Sequence, residues 1–345
     1  MIGSLQKIDA SCDRLLQASA SQYMCIQVEH RAVNSIRDRL INEKTIIRKA
    51  DGRYVPATNK NGKKDSLTSE ETCCLAYDYS ASYQMLESLL ASEKVSVAKF
   101  VRSFRTEILA GDMLLPLINA RCILEHAALL YRLIKDLKPV IVPVSVSEAM
   151  DAIGNIYELV GKKLYATRVD WLGIAASPDN CMDWEDKLKY SPKENRFDME
   201  AKGLMNAIDH LDKQVKGARA LYEVLCEFAH PNVGNLLINR TGSATCKSDK
   251  MGVPWVHTSI GMEPPTALIS PMLWLFSKLM KLIADIICHF EELINIDGPQ
   301  QSEKILEINQ IVMRDVVSKN RDSFDPYCLC PCGSGKKLRF CCQSA

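Results

Sequence analysis

The chain has 345 residues, of which 47% are hydrophobic and 25% charged, a composition that is ordinary for a globular protein. This length predicts one large or two ordinary domains and is enough to bury a core without disulfide bonds. The formal net charge of +1 excludes a global field that would draw the whole protein to nucleic acid or to an anionic membrane, so any such binding requires a local patch.

The first half of the chain is predicted to be helical, because apolar residues recur there mostly at helical spacing. Residues 51–66 interrupt the pattern with turn formers and lysines, which predicts an exposed loop. The acids that follow Ser66 and Thr68 are typical of a capped helix start. Helices are predicted over much of residues 1–50, from Ser66 to about Leu90, over Val95–Leu109 and Leu114–Leu137, and from Ser147 to about Tyr165.

The second half begins with an irregular segment, residues 166–196, which we predict to be a long surface loop. Phe197–Ala229 is predicted as one long helix that ends before His230-Pro231, because proline disfavours helix in the preceding residue. Two short strands are predicted at Leu236–Asn239 and Trp255–Ile260, and further helices at Pro265–Ile296 and Ser302–Ser318.

These elements together predict a mainly α protein with three parts. Residues 1–318 are expected to form a helical bundle body, with a small β-hairpin insertion within residues 233–262. A polar linker is expected at residues 319–327, followed by a C-terminal zinc knuckle at residues 328–345.

The compartment is predicted to be the cytoplasm. Met1–Ala20 lacks the basic segment and apolar run of a secretory signal. The most apolar stretch, Ala267–Cys288, is interrupted by Lys278, Lys281 and Asp285, so we expect no membrane insertion.

The chain contains fourteen cysteines, five of them within its last eighteen residues. Several of the others, such as Cys122 and Cys226, lie in helical apolar patterns, which predicts buried free thiols. The adjacent Cys73 and Cys74 leave two alternatives open, buried thiols or a redox-active pair.

The C-terminal segment carries the most specific pattern. Cys330 and Cys332 precede a glycine-bearing turn and Cys341 and Cys342 follow it, which supplies the four thiolates of a structural zinc site. Eighteen residues are too few to bury a core, so a metal would have to supply the folding free energy. Iron is an alternative to one structural Zn²⁺, since thiolates bind it too, and an unliganded tail is the other alternative. Cys328 is expected to be a spare thiol.

The same segment contains a basic run, Lys336, Lys337 and Arg339, and no acidic residue follows Asp325. A patch of this kind binds phosphate groups and weakens as salt rises. These three residues are therefore the predicted binding residues of the knuckle.

The run Cys330-Pro-Cys332-Gly-Ser-Gly-Lys-Lys, followed by Cys341-Cys342, resembles the SEC-C motif, the zinc tail of the bacterial secretion motor SecA. That family's pattern is Cys-x-Cys-Gly-Ser-Gly, a basic run, and then Cys followed by Cys or His. The resemblance implies that the four cysteines are metal ligands in a bacterial, cytoplasmic protein. It also implies a docking module, because SecA-like knuckles contact an export chaperone and the ribosome.

Polar residues interrupt the apolar helix faces of the body at two places. Arg121 and Glu125 are four residues apart and share one helix face, and His230 lies where the long helix ends. Antiparallel packing of the two helices would bring these three side chains together. Two interpretations are open: a buried Arg–Glu–His network that closes the bundle, or a functional site, with or without His126.

The Arg121-x-x-x-Glu125 helix and the later Tyr222-x-x-x-Cys-Glu-x-x-His230-Pro helix end resemble uncharacterised all-helical bacterial families. Some of these are thought to be related to the HEPN superfamily, which includes ribonuclease toxins and antiphage effectors. The HEPN nuclease motif is Arg, four to six residues, and then His, which Arg121 and His126 fit. The resemblance implies that His126 or His230 is the general base or acid, that Arg121 stabilises the pentavalent phosphate, and that Glu125 orients one of them.

Motifs of the commonest enzyme classes are absent from the sequence: there is no phosphate loop, Rossmann glycine pattern, His-Glu-x-x-His or Gly-x-Ser-x-Gly. We therefore expect a zinc-tailed interaction protein whose body recognises a macromolecule, in defence or stress response. The alternative is a metal-independent ribonuclease of the HEPN type, with RNA as its substrate.

Overall fold

Helices make up most of the chain that the structure describes. The computed structural model describes residues 2–20, 31–48, 54–57, 67–142, 145–164, 201–230, 240–248, 250–260, 266–321, 324–330, 332, 334–342 and 344. In chain order its helices are α1 (Ile2–Ala20), α2 (Arg31–Asn42), α3 (Ser69–Tyr79), α4 (Ser82–Ala110), α5 (Leu115–Leu137), α6 (Val146–Leu164), α7 (Ala201–Asp212), α8 (Ala218–Ala229), α9 (Thr266–Glu292) and α10 (Gly298–Lys319). A π-helical turn, Leu293–Asp297, links α9 to α10.

Two antiparallel hairpins accompany these helices. The first pairs β1 (Ile46–Arg48) with β2 (Tyr54–Pro56). The second pairs β3 (Arg240–Ser248) with β4 (Pro254–Ile260), and its register is irregular between Thr241 and Thr245. The predicted fold class, mainly α with a small hairpin and a C-terminal cysteine cluster, is confirmed.

The chain forms two compact units. Unit 1 comprises Met1–Gln22, Ala91–Arg132 and Leu204–Asn295, and unit 2 comprises Tyr23–Leu90, Leu133–Gly203 and Ile296–Ala345. The predicted division into a body, a linker and a knuckle stays a prediction.

In unit 1, α1 packs against α9, and α8 also contacts α9. The apolar stripe of α9 faces inward, and Ile283, Ile287 and Phe290 are fully buried on it. Such a stripe holds helices together because its burial removes apolar surface from water, worth about 25 cal/mol per Å².

In unit 2, α10 packs against α3 and α6, and α2 packs against α3. The first turn of α3 is closed by a capping box, in which the Thr68 hydroxyl accepts from the Glu71 N–H and the Glu71 carboxylate accepts from the Thr68 N–H. This confirms the predicted helix start. Buried Arg37 of α2 donates to Asp78 of α3 at 2.5 Å and lies over the Tyr54 ring, which ties the first hairpin to both helices.

The structure differs from the prediction of one long helix over Phe197–Ala229. Helix α7 ends at Asp212 and α8 starts at Ala218. Gly217, the residue just before α8, has φ +97°, a conformation that breaks a helix. The Asp212 carboxylate accepts from the N–H groups of Gly217 and Arg219, at 2.9 and 3.1 Å, and so satisfies donors at the new helix start.

A second difference concerns the two helices that were predicted from Ser66 to about Leu90 and over Val95–Leu109. Helix α4 runs through this region without a break, and the chain turns instead at residues 80–81. The loop predicted at residues 166–196, the strand at Leu236–Asn239 and most of the loop at 51–66 lie outside the described residues. None of the helices in the described part of the chain has both the length and the apolarity needed to cross a bilayer.

Candidate functional site

The backbone of the C-terminal tail folds back on itself around its cysteines. Leu329 and Lys337 form an isolated antiparallel bridge, and the Cys330 N–H donates to the Lys336 carbonyl at 2.7 Å. Gly335 has φ +71°, which lets the chain reverse its direction within a few residues between Leu329 and Lys337. A 3₁₀ turn, Leu338–Phe340, then brings the second cysteine pair to the first.

Four sulfur atoms meet inside this turn. The ligand atoms of Cys330, Cys332, Cys341 and Cys342 all lie within 4.8 Å of one another. The Sγ atoms of Cys332 and Cys341 are 3.5 Å apart, and those of Cys341 and Cys342 are 3.9 Å apart. Cys330, Cys332 and Cys342 are buried and Cys341 is half-buried, so the cluster is largely shielded from water. These four cysteines could hold one metal ion such as zinc.

The thiols of the cluster share protons with one another. Hydrogen bonds from Cys330 and Cys342 hold the pKa of Cys332 well below its ordinary value. The hydrogen bond with Cys332 raises the pKa of Cys330 to about 12, and hydrogen bonds with Cys330 and Cys332 raise the pKa of Cys342. The Ser334 hydroxyl lies 3.1 Å from the Cys341 sulfur, so one polar contact to the cluster comes from a residue other than the four cysteines. A metal ion bound by these thiols would displace their protons.

Cys328 does not belong to the four-sulfur group within the described residues. Its carbonyl accepts from the Leu338 N–H at 2.9 Å, so its backbone supports the turn, while burial raises the pKa of its thiol. Cys73 and Cys74 in α3 are fully buried, and burial raises the pKa of both thiols to about 12. A redox-active pair needs accessible thiolates, so the structure favours buried thiols for this pair.

Cations and aromatic rings cover the outside of the knuckle. Lys336, Lys337 and Arg339 are all exposed. The Arg339 guanidinium donates to the Tyr327 hydroxyl at 2.7 Å, and both Arg339 and Lys337 lie within 6 Å of the Tyr327 ring centre. The side chains of Tyr327, Leu329 and Phe340 are each more than half exposed. The knuckle therefore presents a surface that is both cationic and aromatic.

In unit 1, Arg121 and Glu125 of α5 meet as predicted from their spacing. The Arg121 Nε donates to Glu125 Oε1 at 2.8 Å, and both side chains are about one-quarter exposed. The Tyr222 hydroxyl of α8 donates to the same carboxylate oxygen at 3.1 Å, and the Arg121 guanidinium lies 5.6 Å from the Tyr222 ring centre. Burial and the Glu125 carboxylate raise the pKa of Tyr222 to about 12.

His230 lies at the end of α8, and its predicted meeting with Arg121 and Glu125 stays a prediction. It is exposed at the C-cap of α8, where its backbone N–H bonds the Cys226 carbonyl. Among the contacts between described residues, the one from α8 to Glu125 comes from Tyr222, two helical turns earlier. The sequence pattern of this helix end includes Tyr222 but does not identify it as the hydrogen-bond partner of Glu125.

His126 contacts a residue that sequence reasoning missed. Its Nδ1 lies 2.5 Å from Glu93 Oε2 of α4, and its ring lies 5.5 Å from that of Phe100 in the same helix. The Glu93 side chain is 6% exposed and that of His126 is 30% exposed. A buried carboxylate in an apolar helix face was the signal available in the sequence, because such a residue requires a partner.

Comparisons with known proteins find no match: no protein-family model, no curated protein and no solved structure is significantly similar to this chain.

Proposed function

We propose that this chain is a bacterial, cytoplasmic interaction protein with a zinc-stabilised tail that docks onto a macromolecule, the ribosome. One observation carries the proposal: a buried cluster of four sulfurs supports an outer surface made of Lys336, Lys337, Arg339 and exposed aromatic rings. The helical body would also recognise a macromolecule. A role in defence or stress response rests on the resemblance of the body to bacterial effector families.

Zinc is the proposed metal because of the ligand set and its spacing. In a tetrahedral site with Zn–S bonds of about 2.3 Å, the sulfurs lie about 3.8 Å apart. The separations of 3.5 Å for Cys332–Cys341 and 3.9 Å for Cys341–Cys342 are close to that value. All four positions are filled by protein, so the ion would be structural and would leave no position for a substrate. Iron in the same set is the alternative.

The outer surface favours a phosphate-rich partner. Exposed cations attract phosphate by releasing its counterions, and exposed aromatic rings offer a stacking surface to unpaired bases. Tyr327 is both an aromatic surface and the hydrogen-bond acceptor that orients Arg339. The SEC-C resemblance points to the same partner, because related knuckles contact the ribosome.

Ribosome co-sedimentation of the full chain tests this proposal. The triple variant Lys336→Gln, Lys337→Gln, Arg339→Gln should lower association and reduce the slope of log affinity against log salt by about 2 to 3, since each phosphate contact adds about 0.9. The matched control changes three exposed lysines elsewhere to glutamine: Lys213, Lys216 and Lys250. Equal association of the triple variant and the wild type would reject the docking surface.

A second function, metal-independent cleavage of RNA, is favoured by the contact between His126 and Glu93. An imidazole held by a carboxylate is a common general base. In such a reaction the histidine takes the proton of a ribose 2′-hydroxyl, whose oxygen then bonds to phosphorus. The bond to the 5′ oxygen breaks, and that oxygen takes a proton from an acid such as His230 or from water.

Incubation of the purified chain with labelled RNA in the presence of a chelator tests the second function. Cleavage that is lost in His126→Ala and Arg121→Ala, at unchanged melting temperature, would support it. A His230→Ala variant measures whether the exposed histidine takes part. Absence of cleavage by the wild-type chain at high protein concentration would exclude it.

A further inference from the structure

The pair formed by Glu93 and His126 constrains which ring nitrogen of the histidine carries a proton. Nδ1 of His126 lies 2.5 Å from Glu93 Oε2, so one hydrogen is shared between them. An ionised carboxylate has only lone pairs to offer and must accept this hydrogen. The proton of a neutral His126 ring then lies on Nδ1, and Nε2 keeps its lone pair.

The surroundings also fix the orientation of the ring. Glu93 and Phe100 are seven residues apart on α4 and therefore lie on one face of that helix. Glu93 contacts one nitrogen of His126, and the Phe100 ring lies 5.5 Å from the imidazole with a tilt of 42°. Two contacts from one rigid helix hold the ring more firmly than either alone.

Exposure differs between the two members of the pair. The Glu93 side chain is 6% exposed, whereas that of His126 is 30% exposed. The carboxylate is therefore shielded from competing water, while the histidine can still be reached from outside. A carboxylate shielded in this way keeps its hydrogen bond to the ring free from competition by water.

We propose that Glu93 is a positioning residue that holds His126 in its Nδ1–H tautomer, so that Nε2 is the proton acceptor of this site. The substrate class would be a hydroxyl next to a phosphodiester. This role rests on the second function proposed above. Nε2 takes the hydroxyl proton, and Glu93 stabilises the imidazolium that forms.

Nitrogen-15 NMR of the full chain labelled at histidine measures the tautomer directly. The sequence has six histidines, and the His126→Gln variant identifies the signal of this one by its loss. At about pH 8, above the ordinary histidine pKa of about 6.5, Nδ1 should show a pyrrole-type shift and Nε2 a pyridine-type shift. In Glu93→Ala the ring should change towards the Nε2–H tautomer, which free imidazole side chains prefer in water.

Two NMR results would overturn the proposal. One is a wild-type ring that carries a proton on Nε2, either as that tautomer or as imidazolium. The other is a tautomer that does not change in Glu93→Ala while the signal dispersion of the remaining histidines shows that the variant is folded. Glu93→Met, which has a similar side-chain volume and no oxygen acceptor, repeats the measurement if the alanine variant fails to fold.

RNA cleavage provides a separate readout. If the wild type cleaves RNA, Glu93→Ala should lower kcat by about 10-fold or more with KM little changed, because the base and not substrate binding is affected. If the wild type cleaves no RNA but holds the Nδ1–H tautomer, the cleavage function fails and only the assignment of the tautomer to the contact with Glu93 stands. If it cleaves RNA with the Nε2–H tautomer, the positioning role fails and the cleavage function stands.

Discussion

At the scale of single residues, the tail depends on the chemistry of its sulfur atoms. Only Leu338 is a buried aliphatic residue between Cys328 and Cys342 among the described residues. So small an apolar core contributes about 1.5–3 kcal/mol, less than the entropy cost of ordering the segment. Bonds from four thiolates to a metal would supply the difference.

The first prediction concerns the metal. Purified protein should contain about one zinc per chain, and the double change Cys332→Ser, Cys341→Ser should remove it, because two of four ligands are lost. Elemental analysis of dialysed protein measures this. Cys328→Ser is the matched control, since Cys328 lies outside the sulfur group and its change should leave the metal bound. Retention of metal by the double variant would mean that other residues bind it.

The second prediction concerns the hydroxyl of Tyr222. Tyr222→Phe removes its hydrogen bond to Glu125 and should lower the free energy of unfolding by about 1 kcal/mol. Tyr327→Phe, at an exposed position, should change it by less than about 0.5 kcal/mol. Urea unfolding of both variants tests this, and an unchanged stability in Tyr222→Phe would show that the contact adds nothing to the fold.

The third prediction is the pH dependence of the same contact. The folded-state pKa of Tyr222 is raised to about 12, against about 10 in an unfolded chain. Its neutral phenol therefore stabilises the fold fully below about pH 10, and this contribution is lost as the pH rises towards 12. The stability difference between the wild type and Tyr222→Phe should be constant from about pH 7 to 9 and smaller at about pH 11. A difference that grows with pH would contradict the assignment.

At the scale of elements, one glycine determines where a helix ends. Gly217 has φ +97°, and a Cβ there would meet only Leu282 side-chain atoms at 3.5 and 3.8 Å, which is ordinary contact. Substitution is therefore opposed by the backbone conformation and not by crowding. The Asp212 carboxylate, which accepts from the Gly217 N–H, depends on the same turn.

The fourth prediction follows from this turn. Gly217→Ala should lower the free energy of unfolding by about 1–2 kcal/mol, because alanine is strained at positive φ. Gly203→Ala is the matched control: Gly203 lies in α7 with nothing within 4 Å of its added Cβ, and alanine should stabilise that helix by about 0.5–1 kcal/mol. Thermal unfolding of both variants tests this prediction. If the two substitutions change the free energy of unfolding in the same direction, the backbone conformation at Gly217 does not determine the effect.

At the scale of the whole molecule, the tail and the helices are stabilised by different forces. The helices bury apolar faces, as α10 does with Ile305, Met313 and Val317. The tail is expected to rely on its metal. Phe324, which is buried just before the tail, ends the part of the chain that we expect to fold without metal.

The fifth prediction tests this division. Truncation after Asp325 should remove the metal and leave the helical circular dichroism signal and the melting temperature of the remaining chain almost unchanged. The physical reason is that the removed segment is expected to be held together by its metal and to add little apolar area to the helices. A fall in melting temperature of more than about 5 °C, or a loss of helical signal, would show that the tail is part of the helical core.

The sequence by itself determined the features that depend on residues close together in the chain. The four cysteines lie within thirteen residues, so their clustering needs only one turn at Gly335 and no contact with the helices. The capping box of Thr68 and Glu71 and the ion pair of Arg121 and Glu125 are also local, since helical geometry alone places residues three or four apart together. The mainly helical class followed from apolar periodicity for the same reason.

Only the tertiary structure decided which distant side chains meet. The contacts Tyr222–Glu125 and Glu93–His126 join residues 97 and 33 positions apart, and both depend on how helices rotate to bury their apolar faces. That rotation places Tyr222 of α8 against Glu125, and apolar periodicity alone does not select Tyr222 from the other residues along the helix. Periodicity identifies the buried face of a helix, whereas the packing of the whole unit determines where along their axes two helices are in contact.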